Sequence, residues 1–320
     1  MGKNNSIRVG IIGLGGVGGR LFRSFLAHSE TTVTAVCDTD AGRARQAAEE
    51  AGGIPWFTDY KQLLGVEQLD LVYIAVPPVY HHQVALDVIR AGKHIFCEKP
   101  LANSLEQARD MLEAAEQAGI VHAMNFPTYY RAAFRKLVML LEEGYLGELR
   151  RVEVSLHFHE WPRPWQQNAW IAGREQGGFV REVMPHYIHL LHTMFGSIAS
   201  VTSQLEYPDD PSACETGIVA VMQLENGVSV LVNGVSQIAR EEHISFTLYG
   251  TNGTLSIVNW ARLEGGGQGE APQPIPVSEI DHLAEMITQL VASIRGEVGD
   301  LVDFHAGYEV QDVLEKLLRG

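Results

Sequence analysis

The sequence predicts a doubly wound parallel α/β domain followed by an α+β domain with an open, mostly antiparallel sheet. Three observations predict it. From Ile7 to about residue 124, short apolar runs alternate with amphipathic helical stretches, as in a parallel sheet covered by helices. After about residue 148 the runs lengthen and alternate with period two between hairpin turn residues, as in antiparallel strands with one polar face. The 320 residues also exceed what a single hydrophobic core usually serves. The domains expected are residues 1–124 and 125–320.

In order, the first domain reads as strand IRVGIIG, helix GGRLFRSFLAHS, strand TVTAVCD, helix AGRARQAAEEAG, strand LDLVYIAVP, helix HHQVALDVIRAG, strand HIFCEKP, helix SLEQARDMLEAAEQAG and strand VHAMNF. Gly52, Gly92 and Gly119 stand where a left-handed helix C-cap costs least. In the second domain, RRVEVSLHFH, ASVTSQLEY, ETGIVAVMQLE, VSVLVNGVSQ and HISFTLYG read as strands, with turns at Glu225-Asn226-Gly227 and Asn252-Gly253. In the first of them Val152, Val154, Leu156 and Phe158 share one face, and Glu153, Ser155, His157 and His159 the other. That polar face suits pairing with a second subunit, so a homodimer or homotetramer through the C-terminal sheet is expected. EGGGQGEAPQPIPV, residues 264–277, reads as a flexible loop. A last helix is expected from about Gly307 to Leu318, able to pack back on the N-terminal domain.

Composition excludes several functions. With 24 Lys and Arg against 39 Asp and Glu, the net charge of −15 repels a phosphate backbone, so nucleic acid and anionic membrane are not expected partners. A neutral polar small molecule is the favoured substrate. No apolar run reaches the roughly 18 to 20 residues of a membrane helix, and the N-terminus lacks the pattern of a secretory signal, so a cytoplasmic location is expected. Cys37, Cys97 and Cys214 form neither a C-x-x-C pair nor an even framework, and read as reduced core residues.

Gly13, Gly15 and Gly18 form G-x-G-x-x-G directly after the first strand and at the start of a helix. Gly13 permits the tight turn, Gly15 lets backbone N–H groups approach a pyrophosphate, and Gly18 lets helix and strand pack closely. Gly16 and Val17 lie in the same loop. The second strand ends at Asp38, 20 residues beyond Gly18, where a carboxylate can accept hydrogen bonds from a ribose. The N-terminal domain is therefore read as a dinucleotide-binding Rossmann domain, with Asp38 and Thr39 at the ribose. Asp38 would repel a 2′-phosphate, which favours NAD over NADP; Arg43 is close enough to reach such a phosphate if Asp38 turns away.

AVPPVYHH, with Pro77 and His81, is followed by AGKHIFCEKPLA, which contains Glu98-Lys99-Pro100 at a strand end. With the glycine loop upstream and GTNGTLSI at residues 250–257, the chain resembles the glucose-fructose oxidoreductase / inositol dehydrogenase (Gfo/Idh/MocA) family over nearly its whole length. The resemblance implies hydride transfer between a nicotinamide cofactor and a hydroxyl of a sugar, cyclitol or related molecule, with Pro77, His81 and Glu98 near the cofactor and Lys99 beside the reacting centre. It also implies a cis Lys99–Pro100 bond. The chemistry accounts for the lysine on its own terms, since an ammonium can hold the alcohol oxygen and stabilise charge developing on it.

In QGGFVREVMPHYIHLLH, residues 176–192, the resemblance implies a glycine turn, an aspartate, a histidine four residues on and an aspartate three beyond. Here Gly177, Gly178 and His186 keep the pattern, while Glu182 and His189 replace the two aspartates. Positions 182, 186 and 189 share one helix face. His186 is the candidate general acid/base, and Glu182 could orient it or bind a substrate hydroxyl. Pro185 is comfortable only in a first turn, so the regular helix is expected from near Glu182. His192 falls off the stripe and H-x-x-H lacks the i, i+4 pairing of helical zinc motifs, so no metal is expected.

EWPRPWQQNAWIAGREQ holds Trp161, Trp165, Trp170, Arg163 and Arg174, and reads either as a substrate lid or as a loop packed into an interface. Trp161, Trp170, His189 and Arg131 are the candidate substrate residues, with a nicotinamide expected between the domains near Pro77, Lys99 and His186. The activity expected is reversible NAD-dependent oxidation of a secondary alcohol. Two alternatives stay open: a non-catalytic NAD-binding sensor, and a reductase of an unsaturated ring or imine.

Overall fold

The run IRVGII forms strand β1 (Ile7–Ile12), and five of its six residues, all but Arg8, are buried, which marks it as a central strand. A computed structural model describes residues 6–166 and 168–320 of the chain. Two units form, Met1–Pro127 with Asp281–Gln311, and Thr128–Ile280 with Asp312–Gly320.

In the first unit β1 is followed by α1 (Gly16–Ala27), β2 (Thr31–Cys37), α2 (Ala41–Glu50), β3 (Trp56–Phe57), α3 (Tyr60–Leu64), β4 (Leu71–Ile74), α4 (His81–Arg90), β5 (His94–Glu98), α5 (Leu105–Ala118) and β6 (His122–Asn125). The strands are parallel in the order β3-β2-β1-β4-β5-β6. The chain thus leaves β1 toward β2 on one side and returns as β4 on the other, which opens a crevice at the carboxyl ends of the strands. Phe25, Tyr73 and Phe96 make a ring cluster in the core, with centroids 5.1 to 6.3 Å apart.

The second unit contains α6 (Ala132–Glu142), β7 (Leu149–His157), α7 (Phe179–Phe195), β8 (Ile198–Glu206), β9 (Gly217–Leu224), β10 (Ser229–Val235), β11 (His243–Gly250), β12 (Gly253–Val258), β13 (Arg262–Gly267) and β14 (Gln273–Ile275). Its sheet has the order β14-β13-β12-β11-β7-β10-β9-β8 and is antiparallel except where β10 runs parallel to β7. Val152, Val154, Leu156 and Phe158 are all fully buried on one face. The register puts Ser155, Asn233 and Val219 in one row across the opposite face, where Val219 is 59% exposed. Two helices complete the chain, α8 (His282–Ile294) and α9 (Phe304–Arg319).

Four expectations are corrected. The division expected at residue 124 falls at 127, and residues 281–311 belong to the first unit, because α8 packs on α1 and Arg295 pairs with Glu30. Residues 264–277 are not a loop throughout but hold most of β13 and all of β14. The glycines there serve close strand packing, since a Cβ on Gly265 would lie 2.7 Å from Ile275 and 2.9 Å from Leu255. The last helix starts at Phe304 rather than Gly307, with the Ala306 N–H donating to Asp303. Helix α7 starts at Phe179, ahead of the Glu182 expected from Pro185.

Candidate active site

The glycine loop of the first unit is built by the turn after β1. Gly13 has φ +94°, and a Cβ there would sit 2.3 Å from the Ala75 carbonyl; one on Gly18 would sit 2.1 Å from the Gly13 carbonyl. These two glycines are demanded by the fold itself. Gly15 is different. It has extended backbone, and a Cβ on Gly15 or Gly16 would meet nothing within 4 Å. Glycine here leaves room beside the N–H groups that open α1, which is the space an anion at a helix N-terminus requires. Val17, 40% exposed, borders the same loop.

Asp38 is buried, yet its carboxylate is placed by the backbone: Oδ2 accepts from the Leu14 N–H (2.8 Å) and Oδ1 from the Asp40 N–H (2.8 Å). Arg43 Nη1 lies 3.4 Å from Asp38 and Nη2 3.3 Å from Asp40, so its guanidinium is drawn onto two carboxylates. Thr39 is exposed beside them. The glycine loop and the Asp38 carboxylate are therefore one hydrogen-bonded piece.

Two strands away, β5 ends at Glu98. Its carboxylate is buried and accepts from the Tyr73 hydroxyl and the Asn125 amide, which come from the neighbouring strands β4 and β6. Burial and the Glu98 charge push the Tyr73 phenol well above its ordinary pKa, so Tyr73 stays a donor. Lys99 follows, partly exposed, and the Lys99–Pro100 bond is cis, as the resemblance implies. His81, read above as a cofactor contact, is wholly buried. Its Nδ1 lies 2.9 Å from the Pro100 carbonyl and its Nε2 2.9 Å from the Val76 carbonyl. Both ring nitrogens are engaged by backbone, so His81 ties the partly exposed Pro77 segment to the Lys99 turn and does not itself reach outward.

In the second unit, α7 begins at a turn that only glycine can make. Gly178 has φ +96°, and a Cβ on it would fall 2.3 Å from a Glu215 oxygen; one on Gly177 would fall 2.3 Å from the Ile171 carbonyl. Glu215, from the segment before β9, accepts from the Val180 N–H at 2.7 Å. A carboxylate at a helix N-terminus satisfies an orphan donor and meets the positive end of the dipole. This cap comes from 35 residues away, and it explains why α7 starts before Pro185 permits an ideal ladder: Pro185 lies inside the helix, and the Arg181 carbonyl goes without its intrahelical donor. Burial pushes the Glu215 pKa up to about 7, against the opposing pull of its bond to Val180 and of Arg181 and Arg174.

Along α7, His186 and His189 are buried and Glu182 is half-buried, on the stripe expected. His186 meets the Trp260 indole edge to face at 5.4 Å, and His189 meets the Tyr129 ring at 5.3 Å. Burial, and secondarily the neighbouring His192, pull the His189 pKa down to about 3, so this imidazole is neutral at working pH. Arg131 occupies the position just before α6, and its charge reaches Tyr187. Trp161 is turned into the core against Phe158 and Phe179, with its N–H donating to the Ile171 carbonyl at 3.4 Å. Arg163 is pinned by Glu242 at 2.8 Å and by the faces of Phe158 and Trp161. That part of the tryptophan segment is thus packed structure. Trp170 instead borders a surface cavity of about 450 Å³ with Arg174, Gln176 and Ser212. Among the described residues, no three His, Cys, Asp or Glu are grouped to hold a metal ion, and no helix is long and apolar enough to cross a membrane.

Comparison with known proteins adds the decisive observation. Residues 7–126 match the sequence model of the oxidoreductase family with an NAD-binding Rossmann fold, and residues 134–256 that of the Gfo/Idh/MocA C-terminal domain. The chain belongs to the Gfo/Idh/MocA family. Among its relatives is the inositol 2-dehydrogenase of Corynebacterium glutamicum, 29% identical over 71% of this chain and 66% of that protein, slightly under two thirds of its length. A 3-ketoreductase from Actinomadura kijaniata, solved with NADP and TDP-benzene, superposes with a TM-score of 0.86 at 23% identity, covering 99% of this chain and 98% of its own. A dehydrogenase from Bordetella pertussis, solved with NADH and UDP-GlcNAcA, gives 0.85 at 20% identity, covering 100% and 96%.

Seen as a Gfo/Idh/MocA protein, the chain carries three features that sequence reasoning missed: Tyr73 and Asn125 beneath Glu98, Glu215 at the head of α7, and Trp260 against His186. Each is a partner distant in sequence and lies in no recognisable motif.

Proposed function

We propose that this Gfo/Idh/MocA protein is an NAD-dependent dehydrogenase that oxidises, reversibly, a secondary alcohol of a sugar, cyclitol or related polyol. One observation carries the reading: the open cradle at Gly15 and Gly16 and the partly exposed Lys99 stand at the same carboxyl edge of one parallel sheet, just beyond strands β1 and β5 that flank β4. The cradle fits a dinucleotide, with the pyrophosphate at the α1 N-terminus and the adenosine ribose at Asp38. When bound, that cofactor supplies a nicotinamide that takes or returns a hydride. Lys99 holds the alcohol oxygen through its ammonium and stabilises the charge that grows on it. His186 takes the hydroxyl proton in oxidation and returns it in reduction, and Glu182 orients the imidazole or binds a neighbouring hydroxyl.

NAD is favoured over NADP because Arg43 already sits on Asp38 and Asp40, and Asp38 meets a 2′-phosphate with like charge. Nicotinamide absorbance over a panel of myo-inositol, hexoses and nucleotide sugars tests the activity, with NADH and NADPH affinities measured alongside. Turnover of at least one member and tighter NADH binding are expected. Cofactor binding with no turnover across the panel would refute the activity, and tighter NADPH binding the cofactor.

Copies of the chain are proposed to associate through the outer face of the second sheet, where Val219 and Val221 are exposed among polar neighbours. Light scattering at micromolar protein is expected to give a dimer or tetramer; a monomer would count against this.

A further inference from the structure

Strands β12 and β13 are joined by the turn Val258-Asn259-Trp260-Ala261, closed by the Ala261 N–H donating to the Val258 carbonyl at 3.3 Å. Both central residues have left-handed backbone, Asn259 at φ +46° and Trp260 at φ +73°. This is the sign pattern of a type I′ turn, where Asn-Gly is the favoured pair because a Cβ is crowded in left-handed backbone. Tryptophan therefore occupies a position at which the turn alone would select glycine. The turn does not depend on the indole for its placement. Asn259 donates its N–H to the Ile244 carbonyl (2.8 Å), and its side-chain oxygen accepts from the Ile244 N–H (3.0 Å), which ties the turn to β11.

The indole is half-buried against α7. It lies nearly parallel to the Tyr187 ring, 5.7 Å away at 12°, and Tyr187 in turn stacks on Phe246 at 5.4 Å and 8°. The His186 imidazole meets the indole at 84° with 5.4 Å between centroids. A column of three rings rooted in the core thus ends in an aromatic wall beside His186. Rotation about the outer torsion of a histidine side chain is broad when nothing flanks the ring, and a perpendicular neighbour narrows it.

We propose that Trp260 is a positioning residue, whose indole fixes the plane of the His186 imidazole and so the direction of its proton-exchanging nitrogen. The backbone strain at residue 260 is retained because the ring it carries orients the group that does the chemistry. This inference rests on the assignment of His186 as acid/base in the reaction above.

The test uses the holoenzyme with NAD and the panel alcohol of highest kcat/KM, comparing the parent with Trp260→Gly, Trp260→Phe and His186→Asn. Glycine suits the left-handed position but removes the stacked indole, so Trp260→Gly is expected to fold and to melt a few degrees below the parent. Its kcat is expected to fall about tenfold to a hundredfold while the KM for NAD stays unchanged, and Trp260→Phe to recover to within about threefold of the parent. If Trp260→Gly does not fold, Trp260→Asn, which also tolerates left-handed backbone, is held to the same expectation. Unaltered kcat in the folded variant, or a deficit that phenylalanine leaves untouched, overturns the inference. If His186→Asn turns over normally, the acid/base assignment falls and this inference with it. If His186→Asn is inactive while Trp260→Gly is normal, the inference alone falls. Absence of turnover across the whole panel removes both.

Discussion

Replacing Lys99 with alanine is expected to lower kcat by about 10²- to 10⁴-fold, equivalent to about 3 to 5 kcal/mol of lost transition-state stabilisation, and to leave NADH binding nearly unchanged. The prediction follows from how the lysine is held. On one side Glu98 is fastened by Tyr73 and Asn125; on the other the Pro100 carbonyl is fastened by His81. The backbone at residue 99 is thereby fixed from both directions, and the side chain it carries is partly exposed. Truncation removes an ammonium without loosening the strand end, so the loss should appear in turnover and little in stability. Arginine should not restore the rate, because its planar fork is bulkier and delivers its donors in a different geometry. Steady-state kinetics together with NADH fluorescence titration check this. A Lys99→Ala enzyme that keeps kcat within about threefold of the parent would defeat the proposed role.

Much of this arrangement could be read from the chain, and the part that could not shares one physical cause. The alternation of strands and helices, the glycine loop with its Asp38 and the glycine turn before α7 are local patterns, and the structure has them where the pattern points. Burial along β7 likewise follows the period of two, since the pleat alone decides which side chains face the core. Contacts across the sequence leave no such period. Nothing around Glu215 announces that it caps a helix 35 residues before it, and Tyr73 reads as one more apolar strand residue until Glu98 is placed beside it. His81 shows the converse: the resemblance suggests a cofactor contact, and the pattern gives no sign that both its nitrogens face backbone carbonyls. Glycine misled once, in residues 264–267, where it marks strands that pack too closely for a side chain and not a flexible loop.

Glu215 gives the second large effect, and it concerns pH. Buried at the head of α7, its carboxyl has a pKa of about 7 against an ordinary value of 4.5, so between these limits the folded chain holds a proton that the unfolded chain has released. A raised folded-state pKa on an acid means stability that is fully present below pH 4.5 and is lost as pH rises through about 7. The size is on the order of 3 kcal/mol, from the rise between 4.5 and about 7. Above neutrality the anion is kept by the Val180 N–H and the nearby Arg181 and Arg174, which reduce the cost of burial without cancelling it. Glutamine can still accept from Val180 but carries no charge. Glu215→Gln is therefore expected to flatten the pH dependence of melting between about pH 5.5 and 8, and to melt above the parent at the alkaline end by about 5 to 10 °C. Calorimetry of the two proteins across that range decides the matter. Parallel curves, with the parent losing as little stability on the alkaline side as the glutamine variant, would mean that the carboxyl is not titrating there and that burial does not govern it.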